Sequence, residues 1–295
     1  MKTIGSSLTK DTHTLAEHRF KTTDGLHRLY VQEWGNPQGV PILFLHGGPG
    51  AGCKDKHKRY FDPDKHRVIF LDQRGSGNSE PYGSLENNET GYLLEDIELI
   101  REKLGIDNWH IEGASWGSSL ALCYAIKCPK RVRSLVILGV FLVSKEENDW
   151  MFSGQFKYFY PEVWEKNRAG HLDYSKKADQ LKYLEMLYPL LGIDDGKTLS
   201  LEKEAEIDTE PVKIELYYLK NGFFLEDEYI LKNARKLNMP VTIIQGRYDM
   251  ITPPISAYRL SKALVDCKLL TTLNGHLPSD RESASVLKAT LYQLR

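Results

Sequence analysis

Residues 113–117, Gly-Ala-Ser-Trp-Gly, fit the pattern G-x-S-x-G with Ser115 at its centre. The stretch before them, 109–112, has the composition of a short strand, and the apolar stretch 116–127 has that of a buried helix. A tight strand-to-helix turn holds its serine in a strained conformation with the side-chain oxygen exposed. The helix N-terminus behind it favours negative charge on a bound intermediate. We therefore predict that Ser115 is a nucleophile.

A serine nucleophile needs a base that accepts its proton and a carboxylate that orients the base. In folds that carry this turn, the chain order is serine, acid, histidine. Asp249 follows the predicted strand 241–245 and His276 follows the predicted strand 268–273, so both would emerge at the carboxyl end of a parallel sheet. Asp280 is a rival acid, but it comes after the histidine. The sequence predicts Asp249 as the acid and His276 as the base.

Residues 46–50, His-Gly-Gly-Pro-Gly, directly follow the predicted strand 41–45. A glycine-rich loop at this place leaves backbone N–H groups unpaired and lets a substrate carbonyl approach them. We predict that the oxyanion hole consists of the N–H of Gly48 and that of Trp116, the residue after the nucleophile. His46 is expected to be structural, with its ring holding the loop in place.

Most of the chain alternates between strand and helix patterns, which indicates right-handed crossovers and a mostly parallel sheet. The predicted strands are 29–34, 41–45, 67–71, 109–112, 134–140, 241–245 and 268–273, and the predicted helices are 90–104, 116–127, 254–265 and 279–294.

The alternation breaks at 141–236, where aromatic-rich helical stretches occur and no convincing buried strand does. We predict an α/β class protein with the α/β-hydrolase fold, a mostly parallel, doubly wound sheet with an inserted helical cap. Residues 1–140 and 237–295 would form the core domain, and residues 141–236 the cap.

The chain has 295 residues, a formal net charge of −1, 41% hydrophobic residues and 27% charged residues. This balance is typical of a globular protein and provides no global field to attract a nucleic acid or an anionic membrane. Residues 1–15 lack the apolar core of a signal peptide, and no run approaches the roughly 20 apolar residues of a membrane span. The four cysteines are expected to be free thiols. We predict a cytoplasmic protein without nucleic-acid or membrane partners.

Five segments together resemble the proline iminopeptidase (prolyl aminopeptidase) family of α/β-hydrolases. They are HGGPG at 46–50, DQRGSGNS at 72–79, GASWGSSLAL at 113–122, GRYD at 246–249 and NGH at 274–276. The resemblance extends from Trp34 to the final predicted helix. It implies a serine aminopeptidase that releases an N-terminal proline, or another small residue, from peptides through an acyl-enzyme on Ser115. It also implies a reaction without metal or cofactor, and the sequence has no H-E-x-x-H or similar ligand cluster.

Two residues carry over from the family as substrate-binding positions. The family segment E-x-H-Y-F-x-N-G-F is matched by ELYYLKNGF at 215–223, so Glu215 would bind the free amine of the substrate. A substrate ammonium buried under a cap needs a paired charge. Phe141 matches an aromatic residue that lines the proline pocket in the family.

Two departures from the family pattern concern specificity. The family usually has an arginine shortly before the aromatic residue, where this chain has Leu138. The second acidic cap residue of the family would fall at Leu231 or Lys232, and neither is acidic. Loss of both charges together avoids leaving one buried charge unpaired. The acidic residues 226–228 would substitute only in a shifted cap, so the departures weaken the case for a strict proline preference.

The sequence leaves other functions open. An esterase, lactonase or amidase of the same fold would use the same triad on a substrate without an amine. Glu215 argues against that alternative, and the two departures argue for it. A non-catalytic binding protein of this fold would not need an intact triad and oxyanion loop. Epoxide hydrolases and dehalogenases of this fold use an aspartate nucleophile, which Ser115 excludes.

Overall fold

A computed structural model describes residues 11–166, 172–192 and 207–295. Its strands are β1 (Thr14–Lys21), β2 (Arg28–Gly35), β3 (Val40–Leu45), β4 (His66–Leu71), β5 (Trp109–Ala114), β6 (Val132–Leu138), β7 (Val241–Gly246) and β8 (Cys267–Thr272). They form one sheet in the order β1-β2-β4-β3-β5-β6-β7-β8. The pairs β1–β2 and β2–β4 are antiparallel, and all other neighbours are parallel.

Helices cover both faces of the sheet. They are α1 (Thr90–Lys103), α2 (Trp116–Lys127), α3 (Lys145–Phe152), α4 (Pro161–Lys166), α5 (Lys177–Leu190), α6 (Glu210–Lys220), α7 (Tyr229–Asn233), α8 (Pro254–Ala263) and α9 (Arg281–Tyr292). Because successive strand residues point to opposite faces, Leu43 and Leu45 pack with α1, α2 and α8, whereas Ile42 and Phe44 pack with α9. Both faces of the central strands are therefore buried, which explains their continuous apolar runs.

Helices α3 to α7 lie between β6 and β7, and the described residues of that segment contain no strand. They build a third apolar cluster of their own, with Phe156, Tyr183 and Leu216 among its buried members. The segment also contacts a helix that covers the sheet. Thr90 Oγ1, at the start of α1, donates a hydrogen bond of 2.6 Å to the carbonyl of Phe223. The division into a core domain and a cap at 141–236 stays a prediction.

The α/β-hydrolase fold expected from the sequence is confirmed, and each predicted strand and each predicted helix outside the cap is present with its ends shifted by at most three residues. The prediction missed β1. Its residues alternate between half-buried and exposed, and none is fully buried. Leu15 points outward with 39% of its surface exposed, so apolar and polar residues do not alternate along β1 as they usually do in an edge strand.

The cysteine prediction is also confirmed, because all four cysteines are free. Among the described helices, none is long and apolar enough to cross a membrane.

A buried ion-pair network lies beneath the loop that follows β4. Arg74 has no exposed side-chain surface and donates to both oxygens of Asp96, at 2.6 and 2.8 Å. It also donates to Asp24 at 2.6 Å and to the carbonyl of Asn87 at 2.7 Å. The guanidinium therefore ties the first hairpin, the loop after β4 and helix α1 to one another.

We expect Asp96→Asn to lower the free energy of unfolding by about 3 kcal/mol, because removal of one partner leaves a buried charge incompletely paired. Urea unfolding followed by circular dichroism measures the loss. The matched control is Asp107→Asn at the exposed pair Arg131–Asp107, which should change stability by less than about 1 kcal/mol. Equal effects of the two substitutions would show that the buried network does not stabilise the fold.

Candidate active site

Ser115 occupies the turn between β5 and α2, with φ 56° and ψ −125°. Non-glycine residues rarely adopt a positive φ, so the surroundings must hold the backbone in place. The Ser115 N–H donates to the carbonyl of Leu138 at 3.0 Å, and the carbonyl of Ser115 accepts from Ser118 N and Oγ at 2.8 and 2.6 Å. The turn therefore has the strained geometry that the sequence predicts.

The two glycines of the motif permit close packing around this turn. A Cβ on Gly117 would lie 2.1 Å from the carbonyl oxygen of Leu45, and one on Gly113 would lie 2.4 Å from the carbonyl oxygen of Gly117. Neither position can accept a side chain without moving the backbone of β3 or α2.

Asp249 and His276 form the expected pair. His276 Nδ1 lies 2.8 Å from Oδ2 and 3.0 Å from Oδ1 of Asp249, whose side chain is fully buried. The rival Asp280 instead accepts from Asn274 Nδ2 at 3.2 Å.

Several donors converge on the Asp249 carboxylate. They are Gln245 Nε2 at 3.1 Å, the backbone N–H groups of Ile251 and Thr252 at 3.0 and 2.8 Å, and Thr252 Oγ1 at 2.9 Å. Hydrogen bonds of this kind fix the orientation of a carboxyl group. The loop after β7 therefore presents a rigid acceptor to the histidine.

The environment of His276 favours its charged form. Burial lowers the pKa of the imidazole, but the charge and hydrogen bond of Asp249, with a smaller contribution from Glu215, outweigh burial and raise it above its usual value. Gly139, at φ 51°, lets the ring come close, since a Cβ there would lie 3.1 Å from His276 Cε1. The site can thus stabilise an imidazolium.

The loop after β3 is fixed by side chains of the DQR motif. Gln73 Nε2 donates to the carbonyl of His46 at 3.0 Å, while Gln73 Oε1 accepts from Trp116 Nε1 at 2.9 Å. The ring of His46 accepts from Gln73 N at 3.1 Å and donates to the carbonyl of Gly47 at 2.9 Å. His46 therefore lies where a structural role was expected, and Gln73 joins the loop to the start of α2.

The predicted oxyanion donors flank the serine from two sides. Gly48 lines the same cavity as Ser115, and Trp116 is the first residue of α2. Within the described part of the chain, the backbone N–H groups of Gly48 and Trp116 have no acceptor. Both are therefore available to a bound oxyanion.

A cavity of about 300 Å³ lies against Ser115 and His276, and Glu215 of α6 is part of its lining. Tyr183 Oη donates to Glu215 Oε1 at 2.8 Å. Burial raises the pKa of Glu215 to about 7, although the Tyr183 hydrogen bond and the charge of His276 act in the opposite direction. The carboxyl group can thus accept a cation beside the candidate nucleophile.

A second, smaller cavity of about 40 Å³ also borders Ser115 and Glu215. Its apolar lining consists of Phe141, Met151, Phe152, Leu219, Phe223 and Ile251, with the ring of Tyr183. Phe141 and Phe223 meet edge to face with ring centroids 4.9 Å apart. The structure therefore places Phe141 in an aromatic pocket next to the serine.

Among the residues that the structure describes, none compensates either departure from the family pattern. Leu138 is 3% exposed and packs in the apolar cluster beneath α9. Residues 226–228 line neither of the two cavities. Glu228 pairs instead with Arg259 at 2.5 Å, and Asp227 accepts from the backbone N–H of Lys145 at 2.9 Å. None of the three acids lines either cavity, and the side chains of Asp227 and Glu228 are engaged elsewhere, so the structure does not place a second cap carboxylate at 226–228.

Among the residues of the site to which sequence reasoning assigned no role are Gln73, Tyr183 and Glu112. Glu112 of β5 lines the larger cavity and is 2% exposed. A charged residue within a buried strand, three positions before the nucleophile, was the available signal. Tyr183 gave none, because aromatic residues are common throughout the cap.

The described residues contain no cluster of three or more histidine, cysteine, aspartate or glutamate side chains that could hold a metal ion. The groups that surround Ser115 are an imidazole, carboxyl groups, backbone N–H groups and aromatic rings. These are the groups of acyl transfer to a serine.

Comparison with known proteins agrees with this geometry. A protein-family model of the alpha/beta hydrolase fold matches residues 40–278. The proline iminopeptidase of Neisseria gonorrhoeae is 38% identical over 285 residues, which are 89% of this chain and 91% of that protein. The proline iminopeptidase of Arabidopsis thaliana is 38% identical over 267 residues, which are 83% of this chain and 70% of that protein.

Among solved structures, the proline iminopeptidase of Mycobacterium smegmatis superposes with a TM-score of 0.66 at 21% identity, covering 94% of this chain and 98% of that one. An esterase from Exiguobacterium antarcticum gives a TM-score of 0.63 at 16% identity, covering 95% of this chain and 99% of that one. At such identities the structural likeness shows the fold alone, whereas the 38% identity along most of both chains shows the family. The chain belongs to the proline iminopeptidase family of α/β-hydrolases.

Proposed function

We propose that this protein is a serine aminopeptidase that releases an N-terminal proline, or another small residue, from peptides. One observation carries the proposal. The carboxyl group of Glu215 lines the cavity that contains Ser115 and His276, and Tyr183 is its hydrogen-bond donor. A carboxylate in this place can pair with a free N-terminal ammonium, which an enclosed site cannot hold unpaired. The relatives at 38% identity are named proline iminopeptidases, which supports the same activity here.

The reaction begins when Ser115 Oγ attacks the carbonyl carbon of the first residue and His276 takes the hydroxyl proton. The carbonyl oxygen becomes negatively charged and accepts hydrogen bonds from the N–H groups of Gly48 and Trp116. These donors are fixed before substrate arrives, because Gln73 holds both the loop and the start of α2.

Collapse of the tetrahedral intermediate breaks the peptide bond. His276 gives its proton to the departing amine, and the first residue remains as an ester on Ser115. Water then attacks the ester with His276 again as the base, which releases the free amino acid. Throughout, Asp249 holds the imidazole through Nδ1 and stabilises its charged form.

Glu215 and the small cavity together would determine which first residue of the substrate the site accepts. The ammonium would pair with Glu215, while the side chain would enter the aromatic pocket that contains Phe141 and Phe223. A cavity of about 40 Å³ suits a small ring or a short aliphatic side chain and excludes a large one. This geometry supports a preference for proline and other small residues.

The free state of all four cysteines supports a reducing compartment, and we infer a cytoplasmic location for this activity. The partner of the site would be a peptide or a small molecule.

Loss of one triad member should nearly abolish turnover. We expect Asp249→Asn to lower kcat by about 10⁴-fold, because the imidazole loses its orientation and charge stabilisation, and Ser115→Ala to lower it at least as far. Steady-state rates on proline p-nitroanilide measure the effect, with circular dichroism as a check of folding. The control is Asp280→Asn, which should stay within about tenfold of wild type. Loss of activity in the control alone would identify Asp280 as the acid.

Glu215→Gln should separate peptide from ester hydrolysis. Loss of a charged partner from a desolvated site costs about 2–5 kcal/mol. We therefore expect kcat/KM for proline p-nitroanilide to fall by roughly 30- to several-thousand-fold, and kcat/KM for p-nitrophenyl acetate to change little. Equal losses on both substrates would show that Glu215 is structural, and no loss on either would favour the esterase alternative.

The pH dependence should differ between the same two substrates. Because its pKa is raised to about 7, Glu215 is charged above that pH, and amine binding is lost as the pH falls through it. His276, whose pKa is also raised, loses its function as base on acidification. Below both pKa values, kcat/KM should fall about 100-fold per pH unit for the peptide and about tenfold for the ester. Identical slopes would contradict amine recognition by Glu215.

A further inference from the structure

Glu112 is a buried acid that the proposed mechanism does not use. It is 2% exposed, and its Oε2 has no hydrogen-bond partner in the described part of the chain. Its neighbours in register on the adjacent strands are Phe44 and Val136, both buried and apolar. Buried polar groups are nearly always hydrogen-bonded, so an unsatisfied carboxyl group in this setting indicates a partner that comes from outside the fold.

Glu112 is one of the residues that line the cavity of about 300 Å³, together with Ser115 and His276. Alternate residues of a strand face the same side of the sheet, so Glu112 and Ala114 line the same wall of the cavity, next to Ser115. At a rise of about 3.3 Å per residue, the Cα atoms of Glu112 and Ala114 are about 7 Å apart, and Ser115 is the next residue. Phe44, His57, Tyr60, Glu112 and Ala114 line this part of the cavity, which we call the Glu112 lobe.

The proposed mechanism would place the lobe on the leaving-group side of the serine. The base that protonates the departing amine must be on that side. His276 lines the large cavity, whereas the small aromatic cavity is lined by Phe141 and not by His276. With the first residue held between Glu215 and the aromatic pocket, the second residue extends past His276 into the Glu112 lobe.

We propose that Glu112 is a specificity-determining residue that binds a hydrogen-bond donor on the side chain of the substrate's second residue, the one released with the leaving group. The inference rests on the proposed aminopeptidase function. Glutamine, lysine and arginine have donors at the end of a long side chain, which suits a carboxyl group placed at a distance from the scissile bond.

Glu112 can accept a hydrogen bond from a neutral amide or from a cationic side chain. Burial raises the pKa of its carboxyl group to about 8, so it is mainly protonated at neutral pH, and its carbonyl oxygen accepts from a neutral amide. A cationic partner would instead draw it into the ionised form. Lys54 and Lys56 also line the cavity, but both are exposed, so solvent screens their repulsion of a cation.

The test compares kcat/KM for matched dipeptide amides. Prolyl-glutamine amide is compared with prolyl-methionine amide, and prolyl-lysine amide with prolyl-norleucine amide. One net hydrogen bond should favour the glutamine substrate about 3- to 10-fold in the wild type, and an ion pair should favour the lysine substrate at least tenfold. In Glu112→Met both ratios should fall to about one.

Two further variants control this comparison. Glu102→Met makes the same change on the exposed side of α1 and should keep the wild-type ratios. Glu112→Gln retains an acceptor without a charge, so it should keep the preference for glutamine and lose any preference for lysine. Unchanged ratios in Glu112→Met overturn the proposal. Equal losses on all four substrates overturn it as well, because they indicate a structural role or binding of the substrate's own amine.

An ester assay separates this proposal from the proposed function. Glutamine amide and methionine amide are added as inhibitors of p-nitrophenyl acetate hydrolysis. Glutamine amide should inhibit the wild type at an about 3- to 10-fold lower concentration, and Glu112→Met should respond equally to both. Ester hydrolysis without cleavage of any prolyl peptide would contradict the aminopeptidase function. The inhibition by the two amides would still show whether Glu112 binds a side-chain donor. Equal inhibition of the wild type by the two amides overturns the role of Glu112.

Discussion

The rest of the site depends on the backbone of Ser115, which holds φ 56° and ψ −125° against the preference of a non-glycine residue. Three adjacent strands hold it there. Serine follows β5 directly, its N–H is bonded to Leu138 at the end of β6, and Gly117 packs against the carbonyl of Leu45 at the end of β3. Because these strands are parallel and in register, their carboxyl ends meet at one edge of the sheet. The sheet therefore stores the strain that exposes the serine oxygen, and the same edge receives Asp249 and His276 after β7 and β8.

Polar side chains beneath this edge keep the loops from moving independently. Gln73 contacts both the loop after β3 and the indole of α2, and Asp72 accepts from the backbone N–H of Cys53 at 2.6 Å and from that of Asn78 at 2.8 Å. Gln73 and Asp72 are buried and both have partners, so the network is rigid. Preorganised donors are effective only when they do not have to reorganise as charge develops. The DQR motif thus has a positioning role, because Gln73 fixes the loop and the helix start that carry the proposed oxyanion donors.

How far the sequence predicted this arrangement depended on the kind of signal. The central strands were predicted because they are buried on both faces and read as apolar runs, whereas β1 was missed because no residue in it is fully buried. The triad followed from chain order and from loops at strand ends. The partners of Asp249 could not be predicted, since Thr252 and Gln245 have no distinguishing spacing. Glu112 was visible as an acidic residue in a strand, but only the structure shows that it lines the cavity of the site.

The two departures from the family pattern are consistent with each other once the charges around the cavity are considered. Leu138 packs among apolar side chains beneath α9, so this position supplies no cation to balance a second cap carboxylate. A carboxylate whose only partner was a cation at this position would be left unpaired here. Glu215 and Glu112 both line the cavity, and neither forms a salt bridge within the described residues. Burial raises the pKa of both, to about 7 and about 8, which is the response of an acid without a cation. Among the described residues, only the charge of His276 acts to lower the pKa of Glu215, and none does so for Glu112. If the proposed function is right, the ammonium of the bound peptide would supply the positive charge that pairs with Glu215.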